Sequence, residues 1–396
     1  MNELIKQKVD LIAECIFEKI QKSDEAESYG LYSGEFGILL FLFYYSRYSK
    51  SEKHLLLTED YAERLFNRFL NKTTLYTFCN GFSGILYFIE WLRENGFIDM
   101  DVSAPQSLLD HYLISRMKQD MQQQYYDFMH GALGVGLYFM KKGTNQESIQ
   151  ELIDFLYLTA EKDADNQSFK WKSLINHENN LTGYNLALSH GISSIIIFLS
   201  RVIKSGIYDN KIVDLLSGAV NYVLSQQRDF KQFGSYYPNY IPVNSQYPVS
   251  KSRLAWCYGD LGIAMALWQA GKVIDSEDWK TKGLEVILQS AQIRKYEYSS
   301  VIDGGICHGS AGLAMIFRRI YIETGRYEFN DSINHWLYQT LQISRFENGL
   351  VGYKTFLKDE WINDYSLLTG ISGIGLVLLT WLEDDSQTWD EMFLLS

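Results

Sequence analysis

Short unbroken apolar runs alternate along the chain with stretches in which apolar residues recur every three or four positions. Ile38-Leu39-Leu40-Phe41-Leu42-Phe43 and Ile374-Gly375-Leu376-Val377-Leu378-Leu379 are apolar on every side, as a helix buried all round would be. Taken singly, such runs suit short buried strands equally well. The stretches between them decide the matter. Ile5, Val9, Ile12, Ile16 and Ile20 follow helical spacing, as do Tyr61, Leu65, Phe66 and Phe69. The same holds for Ile149, Leu152, Ile153 and Leu156, and for Leu216, Val220, Val223 and Leu224. The pattern predicts an outer amphipathic helix followed by an inner apolar one.

Each inner run opens on one motif: a polar residue, Gly, two further residues and, in all copies but the fourth, a second Gly. Ser33-Gly34-Glu35-Phe36-Gly37 is the first copy and Thr369-Gly370-Ile371-Ser372-Gly373 the seventh. The leading glycines stand at 34, 81, 131, 191, 259, 309 and 370, so the separations are 47, 50, 60, 68, 50 and 61 residues. A chance GxxG is common, but seven copies that each open an apolar run are a repeat. Seven units give about fourteen helices, and an open stack of them would expose its apolar ends. Closing the ring removes those ends. The expected fold is therefore all-α, a seven-unit α/α toroid spanning 1–396 as a single domain, with the Gly loops at one end of the inner barrel. Two polar and aromatic stretches, 163–185 and 228–252, interrupt the rhythm and are expected to form a small strand-rich insert; Tyr236-Tyr237-Pro238 and Tyr247-Pro248 lie in the second.

Composition narrows the function. Apolar residues make up 46% of the chain and only four are proline, which leaves room for a large core and little for linkers. A net charge of -12 without a basic run argues against a nucleic-acid partner. The first ten residues lack the apolar core of a signal peptide, and Ile38 to Tyr45 is too short to span a bilayer, so a cytoplasmic protein that is not transmembrane is expected. In a reducing compartment the four cysteines are free or bind metal.

Chemistry gathers where the loops depart from Ser and Asn. Cys257 and Cys307 each stand two residues before a leading glycine, in adjacent repeats, and His308 follows Cys307 directly. Adjacent units of a closed ring are neighbours in space. Two thiolates and an imidazole suit Zn²⁺ and leave a fourth position open. The bland alternative is a pair of buried structural cysteines and a capping histidine. His190 stands before Gly191 as His308 stands before Gly309, outside the ligand set, where it can move a proton. Asp127 precedes Gly131 by four residues and is either a partnered structural carboxylate or a proton carrier. Arg253, four residues before Cys257, is its expected partner. His130 is a second candidate acid, or simply a helix start.

The segments AWCYG (255–259), CHG (307–309) and NLALSHG (185–191), set in seven repeats, resemble the lanthionine synthetase C-like cyclases over about the whole chain. The resemblance implies an α/α barrel with a small added domain, and zinc on Cys257, Cys307 and His308. It implies roles in catalysis for His190, Asp127 and Arg253, with Trp256 and Tyr258 lining the substrate cavity. The implied reaction is addition of a cysteine thiol to a dehydroalanine or dehydrobutyrine of a dehydrated precursor peptide, giving the thioether rings of a lanthipeptide. A separate dehydratase and a peptide exporter are then expected as partners, and the cyclase would join a membrane-bound biosynthetic complex from the cytoplasmic side. Two positions depart from the family pattern. His130 stands where an acidic or small residue is expected, and Ser194 replaces the second glycine of the fourth unit, which invites a shift of the helix bearing His190. Two rival functions remain. A glycosidase would need two carboxylates, with Asp127 and Asp260 as nominees, and would leave both cysteines without a task. A non-catalytic member would bind glutathione or a partner protein.

Overall fold

The computed structural model describes residues 1–396 except 23–27, 74, 100–102, 164, 166, 177, 179, 208, 245–250 and 384–387, with backbone alone at 103–106. Sixteen α-helices form among the described residues; two have only four residues, which leaves fourteen full helices. Their alternation follows the hydrophobic pattern. In Glu35–Ser49 every residue from Glu35 to Ser46 is buried, whereas the preceding Asn2–Lys22 buries one stripe, Ile5, Val9, Ile12, Ala13, Ile16, Phe17 and Ile20. Ile192–Lys204 is buried from Ile192 through Ser200, and Asn210–Ser225 after it is again half-exposed. No described helix is long and apolar enough to cross a membrane.

The helices pack into two compact units. The first joins residues 1–109 to 301–393. Within it Asn2–Lys22 packs on Ile371–Glu383, which in turn packs on Glu35–Ser49, and Ser310–Thr324 packs on Asn330–Ile343. The short 3-10 helix Trp389–Phe393 is fixed into this unit by its polar groups as well as its apolar ones. Arg319 makes a bidentate pair with Asp390, at 2.6 Å for both contacts, and each residue is more than nine-tenths buried. The Tyr32 hydroxyl donates to the Met392 carbonyl, and its ring stacks on Phe393 with centroids 4.9 Å apart.

The second unit comprises residues 110–300 and 394–396. Asp260–Val273 packs there against Glu277–Ser290 and against Ile192–Lys204. The two stretches expected to form an insert pair with each other. Ser173–Asn176, Leu181–Asn185 and Tyr240–Pro242 make a three-stranded antiparallel sheet in that order, with Tyr184 opposite Ile241. A hairpin of Glu161–Asp163 and Ser168–Lys170 precedes it and lies on Asn210–Ser225. Tyr247-Pro248 falls outside the described residues.

One further hairpin, Thr355–Leu357 with Glu360–Ile362 in the first unit, has no counterpart among the expectations. Its two-residue turn, Lys358-Asp359, has φ of 49° and 64°. Those angles fit the tight turns that usually advertise themselves by Asn-Gly or Asp-Gly.

Candidate active site and metal group

The leading glycines start the inner helices. Gly34, Gly81, Gly131 and Gly191 are N-caps with extended backbone, φ between -133° and -140°. The fourth loop therefore starts its helix as the others do. Ser194 does not shift it, because its buried hydroxyl folds back to donate to the Gly191 carbonyl at 2.7 Å. Gly259 differs: its φ is +100°, and a Cβ there would stand 2.1 Å from the Arg253 carbonyl oxygen. The loop carrying Cys257 can thus turn only on a residue without a side chain. Gly259→Ala is expected to lower stability by about 1–3 kcal/mol, the usual cost of a strained backbone position. Thermal unfolding checks this, and an unchanged midpoint would mean that the loop relaxes freely.

Within the second unit, the loops before Gly131, Gly191 and Gly259 bring four predicted residues together. His190 Nδ1 lies 2.7 Å from Asp127 Oδ2, and the other carboxylate oxygen accepts the His130 backbone N–H at 2.8 Å. The ring of His130 stacks on that of His190, with centroids 5.6 Å apart and planes at 19°. Tyr258 flanks His190 on a tilted contact at 6.0 Å. Asp127 is buried, whereas both histidines and Tyr258 are half-buried and so reach the surface of the unit. Ser189 ties the His190 loop to the cysteine loop, its hydroxyl donating to the Cys257 carbonyl at 3.1 Å.

Electrostatics separates the two imidazoles. Burial alone would make His190 harder to protonate, but its hydrogen bond to Asp127 and the charge of that carboxylate outweigh burial, with Cys257 adding to them, and its pKa rises above the usual value. His130 moves the other way: burial lowers it, Asp127 offsets part of the loss, and the neighbouring His190 adds to it.

Two predicted placements are corrected. Arg253 is not the partner of Asp127. Its side chain is exposed and makes no ion pair among the described residues, while both Asp127 oxygens are engaged by His190 and the His130 backbone. Trp256 does not face a cavity; it is 0% exposed and supports the loop from within the core. Asp260, nominated as the second carboxylate of a glycosidase, is taken up by structure instead. Asp260 is buried, accepts the backbone N–H groups of Tyr236 and Tyr237 at 2.9 Å each, and fastens that segment to the start of its helix. Burial pushes its pKa up to about 6, against the pull of those two hydrogen bonds and of Arg228.

Within the first unit, the backbone N–H groups of Ile306 and Cys307 both donate to the Leu368 carbonyl, at 3.0 and 2.9 Å, which fixes the loop carrying Cys307 and His308. His308 Nε2 lies 3.2 Å from Asp303 Oδ2. Asp303 was not singled out from the sequence; its signal is an acid six residues before Gly309, where the seventh copy has Asp364 before Gly370.

Cys257, Cys307 and His308 form a group that could hold a metal ion. Cys79 also stands two residues before a leading glycine, yet it is no member of this group. Its sulfur lies 3.8 Å from the Ser33 hydroxyl and 3.5 Å from Asn80 Oδ1. Repeat position alone does not make a ligand.

Known proteins share this arrangement of helices. A nisin cyclase structure superposes with a TM-score of 0.76 at 19% identity, covering 99% of this chain and 97% of that one, and the likeness shows the fold as the α/α toroid. A sugar epimerase from a ruminal bacterium aligns over 89% of this chain and 87% of its own at 11% identity, but with a TM-score of 0.39 that likeness carries no weight. The family model for lanthionine synthetase C-like protein matches residues 25–394. With the match spanning nearly all of its length, the chain belongs to the lanthionine synthetase C-like family.

Proposed function

We propose that the chain is a zinc-dependent lanthipeptide cyclase, which closes thioether rings by adding a cysteine thiol of a dehydrated peptide to a dehydroalanine or dehydrobutyrine. The observation that carries this reading is a metal-competent Cys-Cys-His group in the same chain as a carboxylate-backed histidine that is not part of it. Two thiols and one imidazole fit zinc: soft and borderline donors, three in number, leaving a position for a substrate sulfur. When bound there, zinc supplies a deprotonated, oriented thiol at neutral pH.

The chain's own residues then handle the proton that must reach the α-carbon once sulfur has attacked the β-carbon. Asp127 holds His190 by Nδ1, so Nε2 is the nitrogen left to face a substrate. With its pKa held up, His190 carries that proton near neutral pH and delivers it to the enolate. Tyr258 confines the His190 ring, and Arg253, exposed on the cysteine loop, is available to carboxylates of the peptide. A non-catalytic binder would have no use for a histidine prepared in this way.

The substrate must arrive dehydrated, so a dehydratase acts before this chain and an exporter of the finished peptide after it, with the cyclase in the cytoplasm beside them. The test is direct. Dehydrated peptide incubated with the zinc-loaded protein should lose free thiols and gain correctly placed rings, read by alkylation and mass spectrometry. Ring formation no faster than in buffer would overturn the reading.

A further inference from the structure

Asp303 is 1% exposed, and a buried carboxylate must be compensated. No lysine or arginine pairs with it among the described residues. Its Oδ1 accepts the Gly305 N–H at 3.1 Å, and its Oδ2 accepts the Phe356 N–H at 3.3 Å while lying 3.2 Å from His308 Nε2. The loop is built to admit it: a Cβ at Gly309 would come within 2.5 Å of Asp303 Oδ1. An acceptor at Nε2 makes that nitrogen the protonated one and turns the lone pair of Nδ1 outward.

We infer that Asp303 is a positioning residue for the metal group, orienting His308 so that Nδ1 is the atom offered to the metal. The inference rests on the zinc reading proposed above and extends it to a residue outside the ligand set. A carboxylate behind a ligating imidazole fixes its tautomer, holds its plane and raises its basicity. The contact to Phe356 gives Asp303 a second task, joining the hairpin Thr355–Ile362 to the ligand loop. A purely structural role would consist of the contacts to the Gly305 and Phe356 N–H groups alone, and it would move stability without moving the metal's ligand geometry.

The test compares Asp303→Asn and Asp303→Ala with the unchanged protein. Zinc affinity is measured by competition with a chromophoric chelator, the cobalt-substituted spectrum reports ligand geometry, and thermal unfolding is recorded on metal-free protein. Asp303→Asn, nearly the same shape but uncharged, is expected to weaken zinc binding about 10- to 100-fold and alter the cobalt spectrum, while the metal-free midpoint falls modestly because its N–H₂ must face one of the two backbone N–H groups. Asp303→Ala should weaken binding further and lower the midpoint as well. Zinc affinity within threefold of the unchanged protein in folded Asp303→Asn overturns the inference and leaves the zinc reading intact. Failure of the unchanged protein to bind zinc at all overturns both.

Discussion

Cys257→Ala and Cys307→Ala should each strip the protein of stoichiometric zinc and slow ring formation by at least about 30-fold at pH 7. The floor comes from ionisation alone. A free cysteine has a pKa near ~8.5, so about 3% of it is thiolate at pH 7, whereas a metal-held thiol is deprotonated outright. Lost orientation adds to that deficit. The same arithmetic gives a signature: the residual rate of either variant should rise about tenfold per pH unit until the substrate thiol ionises by itself near pH 8.5. The helices should survive, because both units have apolar cores of their own, unlike a zinc finger whose fold depends on its metal. Elemental analysis with rates at pH 7 and 8.5 decides. Full zinc occupancy in either variant removes that cysteine from the ligand set.

His190→Ala is expected to keep zinc and fold while losing about 10²- to 10⁴-fold in correct ring formation, the usual worth of a general acid. Because Asp127 oxygen and His190 Nδ1 are in contact, the two should fail as a unit. Asp127→Asn should lose much of the same rate, and the double variant should be little worse than His190→Ala. Simple addition of the two effects in a double-mutant cycle would show that they are not partners. The sign of the pH effect follows from the shift. The folded-state pKa of His190 lies above its unfolded value, so the ion pair with Asp127 contributes stability in full below the unfolded value of about 6.5, and loses it as pH rises through the folded one. Without the Asp127 charge, burial governs His190, its pKa falls, and the pH above which the donor is unprotonated moves down. Unequal cyclisation profiles of the unchanged protein and Asp127→Asn between pH 6 and 8 are therefore expected.

The fold was legible because two periodicities agreed. Apolar residues at helical spacing marked the outer helices, and the glycine motif marked where the inner ones begin. The metal group was legible for the same reason, since Cys257 and Cys307 share a repeat position. That logic failed where it was pressed further. Asp127 stands four residues before Gly131 and Arg253 six before Gly259, so both lie in the Gly loops, but a place in a loop says nothing of adjacency. They come from the third and fifth loops, while His190 comes from the fourth, and Asp127 meets the next loop in order. Asp303 stands six residues before Gly309, as Asn185 does before Gly191 and Asp364 before Gly370, a position that reads as a loop cap and gives no hint of a histidine partner; the hairpin at 355–362 turns on Lys-Asp, which carries no turn signature.

The first unit is assembled from two stretches of chain, residues 1–109 and 301–393, that are far apart in synthesis. On the ribosome, the apolar run Ile38 to Phe43 emerges long before Ile371–Glu383, the helix it packs beside, while the intervening residues can complete most of their own contacts as they appear. For most of translation the early helices are thus a greasy surface awaiting a partner not yet made. A nascent chain in that condition is prone to aggregate and is a natural client for chaperones, and messages truncated before residue 371 would leave it so permanently.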